Sequence, residues 1–205
     1  MTIRTCIHIL LVLGSFSNAS CHASREYSDR DLAPNKTLIV YLSRTNNTKA
    51  VAEIIQSKVG GELVALELVE PYPENYQAIV NQVARENDTG YLPPLKAKIN
   101  IDLYDTIFIG FPTWGMQLPP PMKSFLKAYD FSEKVIIPFN TNAGYGIGSS
   151  FDTVKRLAPQ SEILDGYSTQ GGIERDGVYY VMEGDKRVEV KEEVSEWLAE
   201  LGILK

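Results

Sequence analysis

The chain has 205 residues, of which 44% are hydrophobic and 22% charged, and its 26 acidic against 20 basic side chains give a net charge of −6. This composition is typical of one globular domain with a sizeable core, and it excludes a collagen-like, low-complexity or wholly disordered chain. Because the balance is acidic and no basic run occurs, we expect no nucleic-acid partner.

Every Cys and His residue lies near the start of the chain, at Cys6, His8, Cys21 and His22. A domain formed by the remaining residues therefore has no Ser–His–Asp or Cys–His catalytic set and no Cys or His to bind a metal. We predict no metal site and assign no catalytic residue.

The first 20 residues have the layout of a secretory signal. Arg4 and the amino terminus supply positive charge, residues 5–14 form an apolar run, and small polar residues follow. The run is shorter than the roughly 20 residues that span a bilayer. We expect residues 1–20 to be a signal peptide or lipoprotein signal, residues 21–35 a disordered linker, and residues 36–205 the folded domain.

Two forms of export are open. Cys21 follows Asn18-Ala19-Ser20, which resembles a lipobox except that Asn18 stands where an aliphatic residue is usual. A lipid on Cys21 would anchor the protein to a membrane. Cleavage after Ala19 or Ala23 would instead release a soluble protein. The expected location is the periplasm or a membrane to which the lipoprotein is anchored.

The rest of the chain alternates strand and helix patterns. Compact apolar runs predict five strands, over residues 36–42, 62–69, 104–111, 134–139 and 161–164. Apolar residues at helical spacing predict helices over residues 48–59, 74–87, 121–129, 149–158 and 190–203. Residues 178–190, with Gly184-Asp185 near the middle, predict a small hairpin. The alternation indicates an α/β fold with a doubly wound, five-stranded parallel sheet.

Sheets of this kind bind ligands at the carboxyl ends of their strands, so the loops after strands one, three and four are the candidates. In the first loop, hydroxyls at Ser43, Thr45 and Thr48 can converge on one anion at the start of a helix. The unpaired N–H groups and the dipole of that helix favour the same anion. The alternative is an ordinary helix cap with polar neighbours.

The other two loops carry aromatic and glycine residues. Trp114, after the third strand, can offer a flat face to a planar ligand or can pack against the domain. After the fourth strand, Gly144, Gly146 and Gly148 let the backbone approach a ligand closely, and their N–H groups could donate to ring carbonyls. The alternative for this loop is a flexible surface segment.

The three loops together resemble those of the flavodoxins, over about residues 36–204. The flavodoxin phosphate loop is [ST]-x-T-G-x-T; Ser43, Thr45 and Thr48 match its hydroxyl positions, and Asn46 stands where the family usually has Gly. The segments GFPTWG and FNTNAGYGIGSS resemble the second and third loops of a bacterial branch of flavodoxin-like proteins.

The resemblance implies FMN as cofactor and the strand order 2-1-3-4-5. It implies three groups of FMN-binding residues: Ser43, Arg44, Thr45, Asn46, Asn47 and Thr48; Pro112, Thr113, Trp114 and Gly115; and Thr141, Asn142, Ala143, Gly144, Tyr145, Gly146 and Gly148.

The function that the sequence favours is an exported electron carrier whose partner is a redox protein or a small quinone or nicotinamide compound. One alternative is an FMN-dependent NAD(P)H or quinone reductase. Another is an exported binding module that has lost FMN.

Overall fold

A parallel β-sheet flanked by five α-helices forms the part of the chain that the computed structural model describes, which is residue 33 and residues 36–204. The strands are β1 Thr37–Tyr41, β2 Glu62–Ala65, β3 Thr106–Pro112, β4 Val135–Asn142, β5 Glu162–Ile163 and β6 Tyr167–Gln170. The helices are α1 Asn47–Val59, α2 Tyr76–Thr89, α3 Pro120–Ala128, α4 Ser150–Leu157 and α5 Gly184–Glu200. Short 3-10 turns lie at Ile101–Leu103 and Glu174–Asp176.

The strand order β2-β1-β3-β4-β5 confirms the predicted doubly wound sheet. A sixth strand, β6, was not predicted. β5 pairs with Val135 and Ile136 of β4, and β6 pairs further along, with residues 139–142 of the same strand. The fifth position of the sheet is therefore one strand interrupted at residues 164–166.

Helices cover both faces of the sheet, which explains the unbroken apolar runs of its central strands. All five residues of β1 are buried. Because alternate side chains of a strand point to opposite faces, Ile39 packs with α1 and α5, whereas Leu38 and Val40 pack with α3 and α4. The sheet and its two helical layers thus enclose two apolar cores.

The predicted hairpin over residues 178–190 is wrong, because α5 begins at Gly184. Val188 and Val190 suggest the alternation of apolar and polar residues that is typical of a strand, but the Val188 side chain is 57% exposed. The helical spacing of Val190, Val194 and Leu198 prevails, since these side chains are fully buried in the core shared with α1.

The predicted signal segment, Cys21 and most of the predicted linker lie outside the described residues. Within the described part of the chain, no helix is both long enough and apolar enough to cross a membrane.

Gly110 on β3 lies beside the buried ring of Phe139 on β4. A Cβ atom at residue 110 would lie 2.1 Å from Cζ of Phe139. We expect Gly110→Ala to lower the free energy of unfolding by about 1–3 kcal/mol through overpacking. Urea denaturation measures the effect.

The double variant Gly110→Ala/Phe139→Leu is the control, because leucine lacks the ring atoms that clash. Its loss of stability should be smaller than the sum of the two single losses. Additive losses would show that the ring is not what constrains residue 110.

Candidate functional site

A cleft of about 130 Å³ lies at the carboxyl edge of the sheet, where the loops after β1, β3 and β4 meet. Ten residues predicted for cofactor binding line it: Arg44, Thr45, Asn47, Thr48, Pro112, Thr113, Trp114, Thr141, Asn142 and Ala143. Gly115 lines a neighbouring groove instead. The three loops therefore converge as the sequence predicted.

The start of α1 faces this cleft with unpaired donors. Asn46 adopts the left-handed conformation (φ 63°, ψ 0°), which Gly and Asn tolerate better than other residues, so Asn can stand in the position of the usual Gly. The Asn46 side chain makes no capping hydrogen bond. The N–H of Lys49 donates to Ser43 Oγ at 3.2 Å, but those of Asn47 and Thr48 have no partner within the helix. These N–H groups, at the positive end of the helix dipole, suit an anion.

Threonine hydroxyls add further donors at this end of the cleft. Thr48 Oγ1 and Thr141 Oγ1 form a buried hydrogen bond of 2.8 Å. Because that bond uses one of the two hydroxyl protons, the other remains to be donated. Thr45 Oγ1 accepts from Asn47 Nδ2 at 2.8 Å, which also leaves its own proton for a ligand. Ser43 differs, since its oxygen caps α1 and it does not line the cleft.

Asn47 holds the segment after β6 against the start of α1. Its Nδ2 donates to the carbonyl of Tyr179 at 2.6 Å, and its Oδ1 accepts from the N–H of Val181 at 3.0 Å. The residue is 3% exposed. Its side chain is therefore committed to the fold, and its backbone N–H is the group left for a ligand.

Arg44 closes one wall of the cleft. Its Nε donates to both carboxylate oxygens of Glu174, at 2.8 and 3.0 Å. Its two terminal nitrogens donate to the carbonyls of Pro73 and Glu74. Three of the five N–H groups of the guanidinium are used in these contacts, and Glu174 neutralises its charge. Arg44 therefore joins three segments and is not a free cation at the cleft.

Trp114 is held in place by its own loop and by Tyr72, which lies just before α2. Its backbone N–H and carbonyl both pair with Gln117, and its ring makes an edge-to-face contact with Tyr72 at 5.5 Å between centroids. The Tyr72 hydroxyl donates to buried Glu86. Burial, together with this carboxylate, raises the pKa of Tyr72, so the hydroxyl stays protonated and the contact persists.

The glycine-rich loop after β4 is organised by two asparagines. Asn140, fully buried, donates to Phe111 O and to Thr113 Oγ1, each at 3.0 Å, and so ties this loop to the loop after β3. Asn142 Oδ1 accepts from the N–H groups of Gly144 and Gly146, at 2.8 and 3.1 Å. These two N–H groups, expected to donate to a ligand ring, are thus satisfied within the loop.

Four residues predicted from this loop do not line the cleft, namely Gly144, Tyr145, Gly146 and Gly148. Tyr145 is 64% exposed. Gly148 has a packing role, because a Cβ atom there would lie 2.0 Å from the carbonyl oxygen of Met116. Asn46 also does not line the cleft, although its conformation shapes the loop.

Four residues of the cleft were not predicted from the sequence: Tyr76, Gly171, Gly172 and Glu174. Both glycines allow a close approach. A Cβ atom added at residue 171 would lie 3.2 Å from Cβ of Asn47. One added at residue 172 would lie 2.3 Å from the carbonyl oxygen of Tyr179. If residues 167–170 had been recognised as a strand, the Gly-Gly pair that follows it would have indicated a further loop at the site. No local pattern marks Tyr76 or Glu174.

Comparison with solved structures finds the same fold in bacterial proteins. A candidate flavoprotein from Bacteroides eggerthii DSM 20697 is 26% identical and superposes with a TM-score of 0.64, covering 81% of this chain and 97% of that one. A flavoprotein from Lactobacillus acidophilus NCFM, solved in complex with FMN, is 24% identical with a TM-score of 0.57, covering 70% and 98%. No curated protein matches the chain.

A comparison with family models agrees with the likeness to solved flavoproteins. A family model for flavodoxin matches residues 36–184, which is more than half of the chain. The chain therefore belongs to the flavodoxin family.

Proposed function

We propose that the protein binds FMN non-covalently in the cleft and functions in electron transfer. The observation that carries the proposal is the start of α1, which lacks a cap from its Asn46 side chain and faces a cleft lined by threonines, in a chain of the flavodoxin family. FMN, when bound, would supply the redox chemistry, and the protein would hold and tune it.

The phosphate of FMN fits the donors at the start of α1. The backbone N–H groups of Asn47 and Thr48 would bind it, with the hydroxyls of Thr45 and of the Thr48–Thr141 pair. Hydrogen bonds to an ionised acceptor are stronger than neutral ones, and the helix dipole adds to them. Arg44 would act indirectly, by holding the loop through Glu174.

The flavin ring would lie at the mouth of the cleft, between the loops after β3 and β4. The cleft itself, at about 130 Å³, is smaller than the roughly 300 Å³ at which small-molecule sites begin. Pro112–Gly115 and Thr141–Ala143 border this mouth. Gly144, Tyr145, Gly146 and Gly148 are proposed as further ring contacts, with exposed Tyr145 as a stacking partner.

Replacement of Thr45 by valine tests the phosphate site. The variant keeps the shape of the side chain but removes the hydroxyl donor, so we expect FMN affinity to fall about tenfold or more, since a hydrogen bond to a charged group contributes roughly 1.5–3 kcal/mol. Equilibrium dialysis and the quenching of flavin fluorescence measure the affinity.

Thr89→Val is the matched control. The Thr89 hydroxyl donates to Arg85 O on an exposed turn of α2 and does not line the cleft. FMN affinity should be unchanged in this variant. Equal affinity of Thr45→Val and wild type would refute the phosphate assignment, and a wild-type protein that stays colourless after FMN addition and desalting would favour the binding-module alternative.

An electron carrier is preferred to a reductase. The ionised side chains that line the cleft, Arg44 and Glu174, pair with each other rather than with a position where substrate would react. We expect the FMN-loaded protein to show no steady oxidation of NADH or NADPH in an absorbance assay at 340 nm. Steady turnover would support the reductase alternative.

Export, from the pattern of residues 1–23, is also proposed. In bacterial cells grown with radioactive palmitate, a lipoprotein would take up label that Cys21→Ser abolishes. A shortened but unlabelled protein would indicate a cleaved soluble form, and an unshortened, unlabelled chain would contradict export.

A further inference from the structure

A second cavity adjoins the cleft. This α2 groove, of about 310 Å³, lies between α2 and the loop after β3, and it shares Arg44, Tyr76, Thr113, Trp114 and Glu174 with the cleft. Its remaining lining residues are Ile79, Val80, Val83, Ala84, Asn87, Asp88, Gly115 and Gln117. Its volume falls within the range of small-molecule sites.

The wall that α2 contributes is apolar and only partly covered. Tyr76, Ile79, Val80 and Val83 lie at helical spacing on α2, but only Ile79 and Val83 of these four are buried. Tyr76 is 38% exposed and Val80 is 40% exposed. Together with the Trp114 ring, these side chains offer a surface that suits a flat apolar molecule.

Two amide groups give the groove polar donors. Lys123 Nζ donates to Asn87 Oδ1 at 2.7 Å and to Gln117 Oε1 at 2.9 Å. Because an ammonium group can only donate, it fixes both amides with their oxygens towards Lys123. Their NH₂ groups, which have no hydrogen-bond partner among the described residues, remain to bind an acceptor oxygen.

The charges of the groove disfavour an anionic ligand. Asp88 and Glu174 both line it, and the one lining cation, Arg44, already pairs with Glu174. A carboxylate or phosphate would lie near the uncompensated charge of Asp88, and Lys123, which does not line the groove, already donates to the side-chain oxygens of Asn87 and Gln117. A neutral molecule with a carbonyl acceptor meets no such penalty.

We propose that the α2 groove binds a neutral aromatic dicarbonyl compound of the quinone class, beside the FMN site. The flat ring would lie against Val80, Tyr76 and Trp114, and a carbonyl oxygen would accept from Gln117 or Asn87. Trp114 and Thr113 border both cavities, so this ligand would lie next to a molecule bound in the cleft. The inference rests on the proposed function only in taking that molecule to be FMN.

The test measures binding of 2,3-dimethyl-1,4-naphthoquinone to the full-length, FMN-loaded protein by equilibrium dialysis. This probe is substituted at both quinone ring carbons that would otherwise add thiols, so Cys6 and Cys21 do not trap it. Val80→Asp, which places a charge on the apolar wall, should weaken binding at least tenfold. Gln117→Leu, which removes one donor at similar size, should weaken it about fivefold.

Val188→Asp is the matched control, because Val188 is likewise an exposed valine on a helix, 57% exposed on α5, and lies outside the groove. Quinone binding should be unchanged in this variant. Circular dichroism of all three variants checks that they are folded. FMN retention, read from the visible absorbance, should match wild type in Val80→Asp.

The outcomes separate the two proposals. No quinone binding to folded wild-type protein, or binding that Val80→Asp leaves unchanged, would overturn the groove assignment. Competition between the quinone and FMN, with FMN lost in Val80→Asp, would also overturn it, because the groove would then hold the flavin ring. If wild type retains no FMN but binds the quinone in a Val80-dependent way, the proposed function fails while the quinone site stands.

Discussion

The parallel pairing of β1, β3 and β4 is the constraint on which the site depends. Tyr41 lies opposite Gly110, which lies opposite Phe139, so the three strands release their loops at one edge of the sheet. Two buried polar contacts then fix these loops to one another: the bond between the Thr48 and Thr141 hydroxyls, and the contacts of Asn140 with the loop after β3. A polar group buried in this way must be paired, which makes the arrangement specific.

Several side chains that resemble ligand contacts serve the protein itself. The Asn47 amide binds the segment at Tyr179 and Val181, and the Asn142 oxygen accepts from its own loop. The Arg44 guanidinium joins Glu174 to the segment that precedes α2. Such contacts order the loops before any ligand binds, and so they lower the entropic cost of binding. What remains for an anion is mainly backbone N–H groups and threonine hydroxyls, which have little conformational freedom left to lose.

The central strands were predictable because burial on both faces leaves continuous apolar runs, as in residues 37–41. The segment Tyr167–Gln170 gave no such signal: only Tyr167 and Thr169 are buried, and the strand lies at the sheet edge. The loop after β1 was predictable because its residues are consecutive in the sequence. Asn46 gives this loop its tight turn by adopting the left-handed conformation. Glu174 could not be found in the same way, because its role arises from a contact with a residue 130 positions away.

Trp114 is where the polar cleft and the apolar groove meet, so whatever fixes its ring shapes both cavities. The ring rests on Tyr72, and Tyr72 is held by Glu86, a carboxylate only 6% exposed. A buried carboxylate is costly unless hydrogen-bonded, and Glu86 also accepts from Gln82 at 2.8 Å. Since the pKa of Tyr72 is raised, its hydroxyl donates throughout the physiological pH range. The position of α2 is thereby linked through Tyr72 to Trp114 in the wall of the cleft, and α2 also contributes Tyr76 directly to that cleft.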